Sequence, residues 1–377
     1  MAVPTLALIP AAQGSKLYSV LPSNGSGDFD FSRGTIATRV NSKGLIEEVA
    51  SGVSRLDYTG GGCPSLLLEP QSTNLIEYSQ ELDNAYWQVN GLLTSGFVSP
   101  SADSPLGAFK WVFGGNQTFH GIQPLNFSTT AGTTYTYSFY ARTISGTYSL
   151  NIGGLFSSPD DWEAQTVTNE WQRFERTQIS AGGKPEIYSN GTAGELLIFG
   201  AQLEQSPYAS SLIPTNGGTV TRLAETATGS GDAATFNDSE GVLFVDISAL
   251  TSVDDFRILT LNDGSLDNII LIGLRDNGTI WSTITDNAAG QFTYISNYVP
   301  INVPLKLLIK YKTNDVSFWI NGVKVATSTS ATIPTGLNSI DFNYGNGANN
   351  FYGNVKQLQY YNTADLTDLE LEKLTQV

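Results

Sequence analysis

The stretch LKLLIKYKTNDVSFWINGVKVAT, residues 305–327, decides the fold. Leu305, Leu307, Ile309 and Tyr311 alternate with Lys306, Lys310 and Lys312, the period of two that a half-buried strand requires. Asn321-Gly322 then separates two short apolar runs, and both residues tolerate the positive φ of a type I′ hairpin turn. DNIILIGLRDNGTIWSTITD at 267–286 repeats the device, with Asp276-Asn277-Gly278 as its turn. In YTYSFYARTI at 135–144, Tyr135, Tyr137, Phe139 and Ala141 share one face, and Thr136, Ser138, Tyr140 and Arg142 the other.

Turn signals recur at the spacing of β-sandwiches, so the expected fold is all-β, with two antiparallel β-sandwich (jelly-roll) domains after an irregular N-terminal segment. One short C-terminal helix is expected. Thr367 and Glu370 form a capping box, Leu366, Leu369, Leu371 and Leu374 follow with helical spacing, and the early acids suit the helix dipole. The expected division is residues 1–72 as an attachment or assembly segment, 73–215 as the first sandwich, 216–235 as a small, polar linker and 236–377 as the second sandwich. In LLLEPQSTNL, Pro70 cannot donate to a ladder, so a strand should end near Glu69.

Composition narrows the function. Nineteen Lys and Arg against 35 Asp and Glu leave a net charge of −16 and no basic stripe, which argues against nucleic acid as a partner. The same charge argues against a strongly anionic polymer as ligand unless calcium bridges the two. No run of about 18 apolar residues is present to cross a membrane, and MAVPTLALIPAAQG lacks the basic start of a secretory signal. One His and one Cys, His120 and Cys63, cannot build a His/Cys metal site, and a Ser-His-Asp mechanism would have to pass through His120. No phosphate-binding Gly motif is present. The carboxylate pairs Asp160-Asp161 and Asp254-Asp255 read as solvated loops, and the acidic run typical of sandwich glucanases is missing.

Aromatic surface is the binding chemistry left. Sugar rings stack their C–H faces on Trp and Tyr and exchange hydrogen bonds with Asn, Gln, Asp and Arg. The candidate glycan contacts are Trp162 in the loop SSPDDWEAQ, His120 in QTFHGI, Trp281 and Trp319 near turns and opposite the most apolar stripe, and Tyr344 and Asn346 in the loop NYGNGANNFYGN. Trp87, Trp111 and Trp171 fit strands and read as core. Arg33 and Arg39 flank Asp28, Phe29, Asp30 and Phe31. This reads either as paired arginines that orient the segment or as arginines on an exposed loop.

Several phrases carry a family resemblance. DFDFSRGTIATRVNSKGLIEEV (28–49) and SRLDYTGGGCPSLLLEPQSTNLIEYSQELDNAYW (54–87) resemble a segment recurrent in bacteriophage tail and fibre proteins. IFGAQLEQSPYASSLIPTNGGTVTRLAE (198–225) resembles the closing strand of their carbohydrate-binding-module-like jelly roll. TFNDSEGVLFVDISAL (235–250), INGVKV (320–325) and NFYGNVKQLQYYNTADLTDLELEKLT (350–375) resemble their C-terminal concanavalin A-like (laminin G-like) lectin domain.

The resemblance implies a non-enzymatic virion structural protein, a tail fibre or receptor-binding appendage that recognises host surface glycans. The expected partners are a bacterial surface polysaccharide or glycan, other virion proteins and further copies of the chain in a homotrimer. It would be made in the host cytoplasm without a signal peptide. The alternatives are a purely structural head fibre or capsid decoration, and a glycan depolymerase with dispersed carboxylates. The resemblance further implies either no cofactor or a structural calcium, with Glu81 and Glu204 as the corresponding candidates.

Overall fold

A computed structural model describes residues 2–10, 12–13, 16–114, 121–153, 163–189, 192–250, 255–299 and 302–377. The chain is all-β, built from antiparallel sheets, and among the described residues the one α-helix is Asp368–Thr375, near the C-terminus. It forms two compact units. Unit 1 gathers Met1–Thr35, Ala50–Pro70 and Ala224–Val377, and unit 2 gathers Ile36–Val49 and Gln71–Leu223.

Unit 1 is a sandwich of two sheets. The larger runs in the order Val323–Ser328, Val316–Ile320, Leu305–Lys312, Glu240–Ala249, Gly353–Tyr361, Ser65–Leu68, Arg55–Asp57, with Leu6–Leu8 also paired to Gly353–Tyr361. The smaller runs Ala289–Tyr298, Thr279–Asp286, Ile269–Leu274, Arg257–Asn262, Ser339–Asp341. Leu305, Leu307, Ile309 and Tyr311 enter the shared core with Leu259, Leu261, Ile270 and Ile272, as the alternation in 305–313 requires. Asn321 and Gly322 take φ of 48° and 83°, the left-handed pair of a type I′ turn. The helix, with its capping box in place, lies on the outward face of the larger sheet over Val242, Phe244, Leu308 and Tyr361.

Unit 2 is a second sandwich. One sheet runs Trp87–Val89, Gly121–Pro124, Glu186–Ser189, Tyr148–Gly153, Glu163–Val167, and the other Leu92–Phe97, Ala108–Phe113, Gly194–Glu204, Thr134–Thr143, Gln172–Ile179. Tyr135, Tyr137, Phe139 and Ala141 face its core together with Trp87 and Trp111. The hairpin Ala37–Val40/Ile46–Val49 packs on the outward face of the second sheet, where Ile46 and Val40 meet Phe199 and Leu212.

The expected segments are distributed differently in space. Residues 1–72 are shared between the two units. Leu6–Leu8, Arg55–Asp57 and Ser65–Leu68 extend the larger sheet of unit 1, because strands of three or four residues bury a face only by joining a larger sheet. Within 216–235, Val220–Arg222 pairs with Ser72–Asn74, and Thr226–Thr228 pairs with Asp30–Ser32. The strand that precedes Pro70 ends at Leu68.

Buried charge ties unit 1's distant segments together. Arg33 Nη1 donates to Glu225 Oε1 at 2.6 Å, Arg55 Nε donates to the same oxygen at 2.8 Å, and the backbone N–H of Glu69 donates to Glu225 Oε2 at 2.9 Å. Arg55 also pairs with Glu69 at 2.8 Å. Burial disfavours the Arg55 cation, but Glu225 and Glu69 overcome that cost and hold it charged. Arg33 is therefore a buried, paired arginine, whereas Arg39 makes a partly exposed pair with Glu47 at 2.8 Å.

Candidate functional site

The outward face of unit 1's smaller sheet carries the aromatic site. No helix covers it among the described residues; Ile258, Ile269 and Leu271 form a thin buried layer there, overlaid by half-buried Phe256, Trp281 and Tyr344. Strand periodicity explains the arrangement. Leu259 and Leu261 point inward, so Ile258 points outward, and the register sets Leu271 opposite Thr283 and Gly273 opposite Trp281. Gly273 brings no side chain to the face beside the indole.

The three rings form a row. Phe256 and Trp281 have centroids 6.0 Å apart at 60°, and Trp281 and Tyr344 are 6.0 Å apart at 61°. Both are edge-to-face contacts, the geometry the ring quadrupoles favour. Ile295, the register partner of Trp281, extends the apolar surface and is 47 % exposed.

The loop that presents Tyr344 is shaped by its asparagines. Asn343 Oδ1 accepts from the N–H of Gly345 at 2.7 Å and of Gly347 at 3.2 Å. Asn346 Oδ1 accepts from the N–H of Ala348 at 3.0 Å, and the N–H of Tyr344 donates to the Ala348 carbonyl at 2.9 Å. Gly345 and Gly347, at φ of 77° and 83°, allow this tight path. Among the described residues, no hydrogen bond engages Trp281 Nε1, the Tyr344 hydroxyl or the Asn346 amide nitrogen. At one end of the row, Arg257 is buried. Its Nε donates to the Leu250 carbonyl at 2.5 Å, its Nη2 reaches Asp255 at 3.3 Å, and its guanidinium lies 5.1 Å over the Tyr352 ring.

Of the expected contacts, Trp281, Tyr344 and Asn346 come together here. Trp319 does not. It is 4 % exposed, packed under the helix with Leu308, Leu366 and Leu371, and its Nε1 donates to Ser317 Oγ at 3.1 Å. The helix takes the outward face that the strand pattern left open, so Trp319 is a packing residue. Trp162 and His120 lie outside the described residues. Phe256 was not singled out by its sequence, where it follows an acidic pair read as a solvated loop.

The two calcium candidates belong to unit 2. Glu204 is buried, and its carboxylate accepts from Ser72 Oγ at 2.5 Å, Gln202 Nε2 at 2.7 Å, the Ser210 N–H at 2.9 Å and the Ser210 hydroxyl. Four donors around two oxygens do not fit a cation, which needs oxygen ligands in their place. Glu81 is half-buried and accepts from Asn84 Nδ2 at 3.4 Å. Among the described residues no three His, Cys, Asp or Glu side chains gather as metal ligands.

No family model matches this sequence, and no curated protein does. Solved structures give partial likenesses. The CBM40 module of the Ruminococcus gnavus IT-sialidase, bound to α2,3-sialyllactose, is 19 % identical over 37 % of this chain and 84 % of its own, with a TM-score of 0.32. The leech intramolecular trans-sialidase is 20 % identical over 37 % of this chain and 24 % of its own, at 0.32. The Caenorhabditis elegans galectin LEC-6 is 19 % identical over 33 % of this chain and 85 % of its own, at 0.25.

Proposed function

We propose that this chain is a non-enzymatic glycan-recognition protein whose binding face is the outward side of unit 1's smaller sheet. The observation that carries the reading is the half-buried row Phe256, Trp281 and Tyr344, with an indole N–H, a phenol and the Asn346 amide nitrogen that make no hydrogen bond among the described residues. Flat rings accept the C–H faces of a sugar, and the polar groups at their margins order its hydroxyls. Sugar hydrolysis would call for two carboxyl groups flanking the bound sugar. The acid beside this row, Asp255, pairs with Arg257.

A glycan array that includes bacterial envelope polysaccharides, run with and without calcium, tests this reading. Trp281→Ala and Tyr344→Ala are each expected to weaken a selective hit at least about fivefold, since a central aromatic anchor contributes about 1 kcal/mol or more. A hit that both variants retain, with native melting curves, would overturn the site. Release of reducing ends from a bound polysaccharide would overturn the non-enzymatic half.

The finer reading is a receptor-binding appendage of a bacteriophage virion, a tail fibre assembled as a homotrimer with other virion proteins. It rests on the phrases at 28–49, 54–87, 198–225 and 350–375. Antibody labelling of intact particles and sedimentation of the purified chain test it. Tail-tip label and a trimer support it. Label over the capsid, with Trp281 and Tyr344 protected in subunit contacts, would favour a structural decoration instead.

A further inference from the structure

A second patch, on the outward face of unit 2, has a different chemistry. In the sheet that pairs Thr134–Thr143 with Gln172–Ile179, Tyr140 lies opposite Arg173. The Arg142 guanidinium lies 5.6 Å over the Trp171 ring, and the Arg173 guanidinium 5.5 Å over the Tyr140 ring. All four side chains are partly exposed. They form the margin of the cluster on which the Ala37–Val40/Ile46–Val49 hairpin sits, so Trp171 is a boundary residue and not the core residue its strand position predicts.

Arg142 is the informative member. Its Nε is buried without a hydrogen-bond partner, and its Nη1 reaches the Asn169 carbonyl only at 3.4 Å. Among the described residues no carboxylate pairs with it and nothing bonds Nη2. Acids outnumber bases 35 to 19 in this chain, yet this guanidinium is held against an indole and pairs with no acid among the described residues. A guanidinium fixed on an aromatic ring presents a planar fork of donors to a carboxylate, beside the partly exposed margin of the indole, an apolar surface that a sugar C–H can meet.

We propose that this patch is a binding site for a glycan bearing a single carboxylate, with Arg142 holding the carboxylate and Trp171 the adjoining sugar ring. Arg173 is steadied by its bond to Ser138 Oγ at 3.0 Å and adds positive potential beside Tyr140. Exposed Glu175 lies on Arg173's strand and exposed Glu170 precedes Trp171. Their charges, with the net charge of −16, select against a densely anionic polymer and for one acid on an otherwise neutral sugar. The site does not depend on the row at Trp281, so the two readings stand or fall separately.

The test is a glycan array that pairs each neutral oligosaccharide with uronate-capped, ulosonate-capped and sulfate-capped counterparts, probed with the full chain. A carboxylate-capped member is expected to bind about tenfold better than its neutral partner, the margin of a charge-assisted hydrogen bond, and to weaken with added salt. Arg142→Gln and Trp171→Ala should abolish that margin, while Trp281→Ala and Tyr344→Ala leave it intact. Arg142→Lys, which keeps the charge but not the fork, should reduce it with an unchanged melting curve. Equal binding of neutral and carboxylate members, a margin that survives in Arg142→Gln, or a preference for sulfate over carboxylate would each overturn the assignment.

Discussion

Glu186 starts the strand Glu186–Ser189 with Oε1 buried and without a hydrogen-bond partner. Burial raises its carboxyl to about 8, with the Lys184 charge opposing the shift. The folded state therefore prefers the protonated acid. Its stabilising contribution is complete below the ordinary carboxylate pKa of 4.5 and is lost as pH rises through about 8. Calorimetry at pH 5 and pH 8 should show unit 2 melting lower at pH 8, and Glu186→Gln should remove much of that difference. An unaltered pH profile in the variant would refute this account. The neighbouring Tyr137 phenol is also buried without a partner, and burial raises its pKa. At this scale the sequence was informative about residue type. Chemistry and loop context marked Trp281, Tyr344 and Asn346 as candidates, and left Phe256 and Trp171 unmarked. Whether an aromatic ring on a strand is covered depends on what packs against that face, and local spacing carries no record of that.

Among the elements, the helix Asp368–Thr375 was the most legible. Thr367 Oγ1 accepts from the Glu370 N–H at 3.4 Å, and Glu370 Oε2 accepts from the Thr367 N–H at 2.9 Å. Thr367→Ala should cost about 1 kcal/mol, read as a lowered denaturation midpoint for unit 1. The helix also explains the failure at Trp319. Leu366, Leu371 and Leu374 need an apolar surface, and the outward face holding Phe244, Leu308 and Trp319 supplies it. The hairpins at 267–286 and 315–327 were equally legible, because the left-handed φ values fall at Gly278 in the first and at Asn321 and Gly322 in the second. The strands Val220–Arg222 and Thr226–Thr228 were not. They are short, and each is defined by a partner about 150 to 200 residues away in sequence.

Over the whole molecule, the buried cluster of Arg33, Arg55, Glu69 and Glu225 joins segments that lie far apart along the chain. Each residue lies near a boundary at which the chain passes between units. Glu225→Ala would leave two buried guanidiniums short of a partner and should cost about 3–5 kcal/mol. Chemical denaturation should show the loss in unit 1, and a variant as stable as the native chain would show that the cluster does not hold these segments.

By itself the sequence determined the all-β class, the inward faces of the long strands, the tight turns and the capped helix. All of these follow from periodicity and backbone preference within a few residues. Only the tertiary structure decided that residues 1–72 are divided between two units, that Arg33 is buried, that Glu204 is enclosed by donors, and that the helix covers Trp319 while Trp281 and Tyr344 stay half-buried. Each of those outcomes depends on which distant surface arrives at a given face, and that is settled by packing across the whole fold.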